Sequence, residues 1–139
     1  MKGIVISSHG KLAEGILDSA KLFFGEQEQL AALCIQGGDN TDVFCQSLKE
    51  TINAVDTGDG VLLLCDILAG TPCNCAVSLL EEFQDRLDIA CGVNLPMVLQ
   101  ALTDRRVGTP DIAAICGEAS AGIMNVKAFL ETDTDSDDD

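Results

Sequence analysis

Hydrophobic positions follow two patterns along this chain. Residues 3–7, 30–35, 61–65 and 87–91 are short apolar runs rich in Ile, Val, Leu and Ala, each bounded by turn residues. Each is expected to be a strand. Val61-Leu62-Leu63-Leu64-Cys65 has no polar alternation. That marks a strand buried on both faces, as at the centre of a parallel sheet.

Between these runs the spacing turns helical. Residues 11–24 place Leu12, Ile16, Leu17, Ala20 and Phe23/Phe24 along one stripe, and Gly25 closes it. A second helix runs to about Val55, capped by Asp39 or Thr41, with Val43, Phe44, Leu48 and Ile52 inward. Gly70-Thr71-Pro72 opens a third helix to about Phe83, with Thr71 as N-cap and Pro72 in the first turn. Asn94-Leu95-Pro96 starts a fourth, ending near Arg105/Arg106, and Gly108-Thr109-Pro110 a fifth, reaching about Ser120. Residues 123–130 fit either a last strand or a short helical end. The order β-α-β-α-β-α-β-α-α predicts an α/β fold. It is a doubly wound parallel four-stranded sheet with helices on both faces and right-handed crossovers.

Composition narrows the function. With 139 residues, 47% of them hydrophobic, the chain suits one domain. Aromatics are only 4%, with no Trp or Tyr, so a base-stacking platform is excluded. The net charge of −15, with only 8 Lys and Arg, repels nucleic acid and disfavours anionic membranes. A protein partner should offer a basic or neutral face. Residues 131–139, ETDTDSDDD, carry six acids and no base, and are expected to be a disordered tail. The domain is drawn at 1–130, still acidic at about −9. No secretory signal is legible and no apolar run is long enough to span a bilayer, so a soluble cytoplasmic protein is expected.

Seven cysteines, an odd number mostly inside apolar runs, are expected to be buried free thiols rather than a disulfide framework. Cys73-Asn-Cys75 lacks the C-x-x-C spacing, so no metal site and no cofactor is expected. A metal or redox module using Cys65, Cys73, Cys75 and Cys91 is the alternative from that side.

The chemistry is expected where open parallel sheets place it, outside the C-terminal ends of the strands. His9, the only histidine, follows strand 1, and Asp66 follows strand 3. Strands 1 and 3 adjoin in the commonest doubly wound orders, so a switch point between them brings the two together. A carboxylate on Nδ1 fixes the tautomer and leaves Nε2 as nucleophile. Gly70 lets backbone approach closely, Thr71 brings a hydroxyl, and the helix start directs free amides at an anion. Phosphoryl transfer needs little more than positioning and charge stabilisation.

Three segments carry a family resemblance. Gly3-Ile4-Val5-Ile6-Ser7-Ser8-His9-Gly10, Asp66-Ile67-Leu68-Ala69-Gly70-Thr71-Pro72-Cys73-Asn74 and Cys91-Gly92-Val93-Asn94-Leu95-Pro96-Met97 resemble, in order, the mannose-family IIA domains of the bacterial sugar phosphotransferase system. The second matches their D-x-x-G-G-[ST]-P-x-N pattern except that Ala69 replaces the first Gly. The similarity spans about residues 1–130. It implies that His9 takes a phosphoryl group from the phosphocarrier HPr and passes it to a IIB domain, for carbohydrate uptake or its regulation. It implies Asp66 as the histidine's partner, Gly70 and Thr71 as the phosphoryl contacts, and Ser8 and Asn94 as residues of the site loops. It also implies a homodimer, with 123–130 as a strand exchanged between subunits. The phosphotransfer subunit of dihydroxyacetone kinase resembles these domains too and is the nearest rival. An inactive structural dimer module is another.

Overall fold

The computed structural model describes residues 1–137. Its strands are β1 (Gly3–His9), β2 (Leu30–Ile35), β3 (Val61–Cys65) and β4 (Leu87–Ala90). All pair in parallel, in the order β2-β1-β3-β4. The helices are α1 (Leu12–Phe24), α2 (Thr41–Val55), α3 (Thr71–Ser78), α4 (Leu80–Phe83), α5 (Leu95–Val107), α6 (Ile112–Ala121) and α7 (Val126–Asp137).

The central strands divide their side chains between two cores with period 2. Ile4, Ile6, Leu62 and Leu64 pack with Ile16, Met97, Leu102 and Ile115 of α1, α5 and α6. Val5, Val61, Leu63 and Cys65 pack with Phe44, Leu48, Ile52 and Ala76 of α2 and α3. Helices on both faces explain why β3 has no polar position to spare. The doubly wound four-stranded sheet is as the sequence implies. β1 and β3 adjoin, with α1 leaving β1 toward one face and α3 leaving β3 toward the other. The cleft between those two departures is the switch point.

Several details differ from the sequence expectations. The third helix breaks after Ser78, whose hydroxyl donates to the Cys75 carbonyl at 2.6 Å and competes with the helix ladder. Gly70, not Thr71, is the N-cap of α3. Asn40 caps α2, accepting from the Val43 amide at 3.0 Å, and Asp111 caps α6, accepting from Ala113 at 3.2 Å. Val43 is exposed, and Val55 takes its place in the buried stripe of α2.

Of the two states left open for the C-terminal segment, the helical one is found: α7 spans Val126–Asp137, in place of the exchanged strand that the resemblance implies. A strand needs a neighbouring edge for its backbone groups, whereas a helix satisfies them within itself. Asn125 starts this one, its Oδ1 accepting from the Ala128 amide at 3.1 Å. Strand exchange in a dimer is therefore not seen here. Residues 138–139, the end of the acidic tail, lie outside the described residues.

The cysteines are not all free. Cys45 of α2 and Cys75 of α3 form a disulfide, with Cα atoms 5.2 Å apart. They are 30 residues apart in sequence, and only the side-by-side placement of the two helices on one sheet face brings them together.

At the N-terminal edge of the sheet, the buried Arg105 of α5 acts as a clasp. Its Nη1 donates to the carbonyls of Lys2 and Gln29, and its Nη2 to the carbonyl of Glu28 at 2.7 Å. One side chain thus holds the starts of β1 and β2 against α5. Arg105→Met keeps the stem but removes these donors, leaving the Gln29 carbonyl only its bond from the Ile4 amide. It should lower stability by about 2–3 kcal/mol in urea titrations; a change under about 0.5 kcal/mol would show that the clasp contributes nothing net.

Candidate functional site

His9 is the last residue of β1, and Asp66 comes directly after β3. The register Ser7↔Cys65 between these strands sets the two side by side. The His9 ring Nδ1 lies 2.8 Å from Asp66 Oδ2, and the His9 backbone amide donates to the same oxygen at 2.9 Å. The Ile67 amide donates to Oδ1 at 2.9 Å. The Asp66 main chain is fixed as well, its amide donating to the Ser7 carbonyl and its carbonyl accepting from the Gly92 amide. The carboxylate is thus locked before it orients the ring.

The electrostatics follow. An ionised carboxylate only accepts, so Nδ1 carries the proton and Nε2 the lone pair. Burial is the largest influence on Asp66 and pushes its carboxyl up. The His9 amide, the His9 ring and the Ile67 amide together outweigh it and hold the carboxyl below its usual range. The Asp66 side chain is 10% exposed and the His9 side chain 46%, so the anchor is sheltered while the ring meets solvent.

The loop 66–70 closes over the ring's far edge. A Cβ placed on Gly70 would sit 2.5 Å from His9 Cε1 and 3.1 Å from Nε2. Only glycine lets the backbone approach the nucleophilic nitrogen so closely. Ala69 before it takes φ 65°, a left-handed conformation costly for a residue with a Cβ. α3 then begins with Thr71, and no side chain caps it. The amides of Thr71 and Cys73 have no acceptor within the helix, and Pro72 has none to offer. The positive end of α3, with these free donors, thus follows directly on the Gly70 that packs against the ring.

The six residues expected at the site divide into two groups. His9, Asp66 and Gly70 converge as described, and Thr71 adjoins them at the start of α3. Ser8 is fully buried and shapes the β1–α1 turn, its Oγ accepting from the Ala13 amide at 2.7 Å. Asn94 caps α5 through the Met97 amide at 2.9 Å, and its Nδ2 donates to the Ala119 carbonyl of α6. Both support neighbouring turns and make no hydrogen bond to the imidazole. Sequence reasoning missed the Ile67 amide, a backbone donor without a residue-type signature. It also missed the exposed apolar pair Ile67 and Leu68 at the rim, which hydropathy alone would assign to the interior. Among the described residues no group of three or more His, Cys, Asp or Glu could hold a metal ion, and Cys75 is taken up in its disulfide. Of the four cysteines of the alternative reading, Cys75 is bonded to Cys45 and Cys65 and Cys73 are buried.

Residues 3–118 match the family model described as EIIA-man, PTS system fructose IIA component. The chain belongs to this family of phosphotransferase-system IIA components. It is 34% identical over 105 residues to the PTS system fructose-specific EIIA component of Bacillus subtilis (strain 168), covering 76% of this chain and 71% of that protein. It is 32% identical over 102 residues to the PTS system mannose-specific EIIAB component of Escherichia coli (strain K12), where the match spans 73% of this chain but only 31% of that longer protein. The crystal structure of the PTS IIA protein associated with the fucose utilization operon of Streptococcus pneumoniae superposes with a TM-score of 0.86 at 29% identity. That match covers 93% of this chain and 96% of that one. This IIA component is thus a mannose-family member in sequence and in fold. No helix among its described residues is long and apolar enough to cross a membrane.

Two outcomes test the site. Ala69→Gly relieves the left-handed alanine and should raise stability by about 0.5–1 kcal/mol in chemical denaturation; a loss would show that the loop stores no strain. The depressed Asp66 carboxyl stabilises the fold above its ordinary value of 3.8, and this contribution is lost as pH falls through the lower folded value. Urea midpoints of wild type and Asp66→Asn should therefore lie apart at pH 6 and converge well below pH 4. A gap that persists unchanged into strong acid would contradict the assignment.

Proposed function

We propose that residues 1–130 form a phosphocarrier domain in which His9 Nε2 accepts a phosphoryl group from phosphorylated HPr and gives it to a IIB domain. Its membership among IIA components supports the general reaction, protein phosphoryl transfer in sugar uptake. The single observation that carries the residue assignment is the 2.8 Å contact between Nδ1 and the sheltered Asp66 carboxylate, with the ring otherwise open to solvent.

The transfer follows from that geometry. Nε2 attacks phosphorus as the P–N bond to the donor histidine breaks. The ring gains positive charge, and the Nδ1 proton remains between it and Asp66, which stabilises that charge. The phosphoryl oxygens meet the Gly70–Thr71 backbone and the Thr71 hydroxyl. In the second step a nucleophile of the IIB domain takes the phosphoryl group, the P–Nε2 bond breaks, and the neutral imidazole returns. Backbone dipoles rather than lysine or arginine hold the group, which keeps it transferable. We read the protein as cytoplasmic and homodimeric, with carbohydrate uptake or its regulation as the setting.

Incubation with phosphoenolpyruvate, the general phosphotransferase enzyme and HPr should give one acid-labile phosphate, located by mass spectrometry on His9. His9→Ala should abolish it with the fold intact by circular dichroism. Asp66→Asn should slow labelling by about 10²-fold, because the amide can no longer stabilise the charged ring. Labelling that survives in the His9 variant would refute the assignment.

A further inference from the structure

Six of the seven cysteines lie on β2, α2, α3, at the end of β3 or just after β4, and one pair of them is bonded. Cys45 is half-buried and Cys75 is buried, and together they line a groove of about 350 Å³ between α2 and α3. Thr71, Thr41, Asp42 and Ser78 line the same groove. Cys75 stands one helical turn beyond Thr71, so the crosslink holds the helix that presents Gly70 and Thr71 to His9. α3 has only eight residues, and the disulfide is its one covalent tie to α2.

The neighbouring thiols are placed differently. Cys65 and Cys73 are buried, and burial pushes the Cys65 thiol up to about 12, which leaves it unreactive. Cys45 opens onto solvent through the groove. In reducing compartments protein disulfides are mostly transient and redox-sensing.

We propose that Cys45–Cys75 is a thiol–disulfide exchange site, open to small dithiols, whose state sets how firmly α3 presents the phosphoryl pocket to His9. A thiolate of the dithiol attacks Cys45 Sγ, the Cys45–Cys75 bond breaks, and Cys75 leaves as a thiolate that takes up a proton. The second thiol of the reagent then attacks the mixed disulfide. It releases Cys45 as a thiol and leaves the reagent as a cyclic disulfide, so two protein thiols are gained for one dithiol oxidised. The oxidised chain holds the start of α3 in place; the reduced chain holds it by packing alone. The effect on transfer rests on the phosphocarrier reading of His9, whereas the exchange itself does not.

The full chain, air-oxidised or treated with dithiothreitol and then desalted, supplies the test. Alkylation and mass spectrometry should count five free thiols before reduction and seven after. Labelling from phosphoenolpyruvate through HPr should be about three- to tenfold slower in the reduced chain, since small misplacements of a binding group cost rate. Cys45→Ser should show the slow rate in both conditions. Seven thiols without reductant, or five after it, would overturn the exchange site. Equal labelling rates in the two states would overturn its coupling to His9. No labelling in either state, with the thiol count changing as expected, would instead remove the phosphocarrier reading.

Discussion

The site depends on one carboxylate placed where it has no freedom. Asp66 receives three hydrogen bonds, two of them from His9 itself, through the ring and through the backbone amide. The double hold matters because a ring bond alone would fix distance but not direction. The backbone bond ties the carboxylate to the end of β1, so the imidazole is aimed by the sheet. Loss of the β1–β3 register would therefore separate His9 from Asp66 as well as disturb both cores. At the switch point the adjacent strands β1 and β3 end with their chains leaving toward opposite faces of the sheet. A histidine on one and an aspartate on the other can meet there without a helix between them.

The charge balance gives the same arrangement its purpose. The chain carries −15 overall, and the proposed function still requires it to receive an anionic phosphoryl group. A strong cationic cradle would bind that group and keep it. Amide donors at the start of α3 and a glycine pressed against the ring offer partial charges instead, which stabilise without trapping. In the proposed transfer the positive charge would appear on His9 itself and only transiently, with the Asp66 carboxylate 2.8 Å from its Nδ1.

Much of this was legible in the sequence. The unbroken apolar run of β3 implied a two-faced sheet, and the place of His9 and Asp66 after adjoining strands implied their meeting. What stayed hidden depended on three-dimensional neighbours or on groups common to every residue. The Ile67 amide has no signature in a one-letter code. The Cys45–Cys75 pair follows from the relative angle of two helices, which no spacing rule encodes. Arg105 reads as the last-turn base of a helix, yet it spends its donors on three carbonyls of other segments. Residues 123–130 were ambiguous because their pattern fits both states.

Ala69 shows how local strain and function are linked in this fold. The loop from Asp66 to Gly70 must turn sharply to bring backbone against the imidazole, and it does so through a left-handed residue. Glycine would take that conformation freely, but it would also leave the loop more states to sample before a phosphoryl group arrives. Alanine costs about 1 kcal/mol there and narrows the choice. The loop is over-determined by its ends: Asp66 is held by β1 and by Gly92, and Gly70 by the Asn74 amide at 2.8 Å. Such ends can impose a strained residue between them. The pocket is thus formed in advance by the fold, and binding need not spend free energy to assemble it.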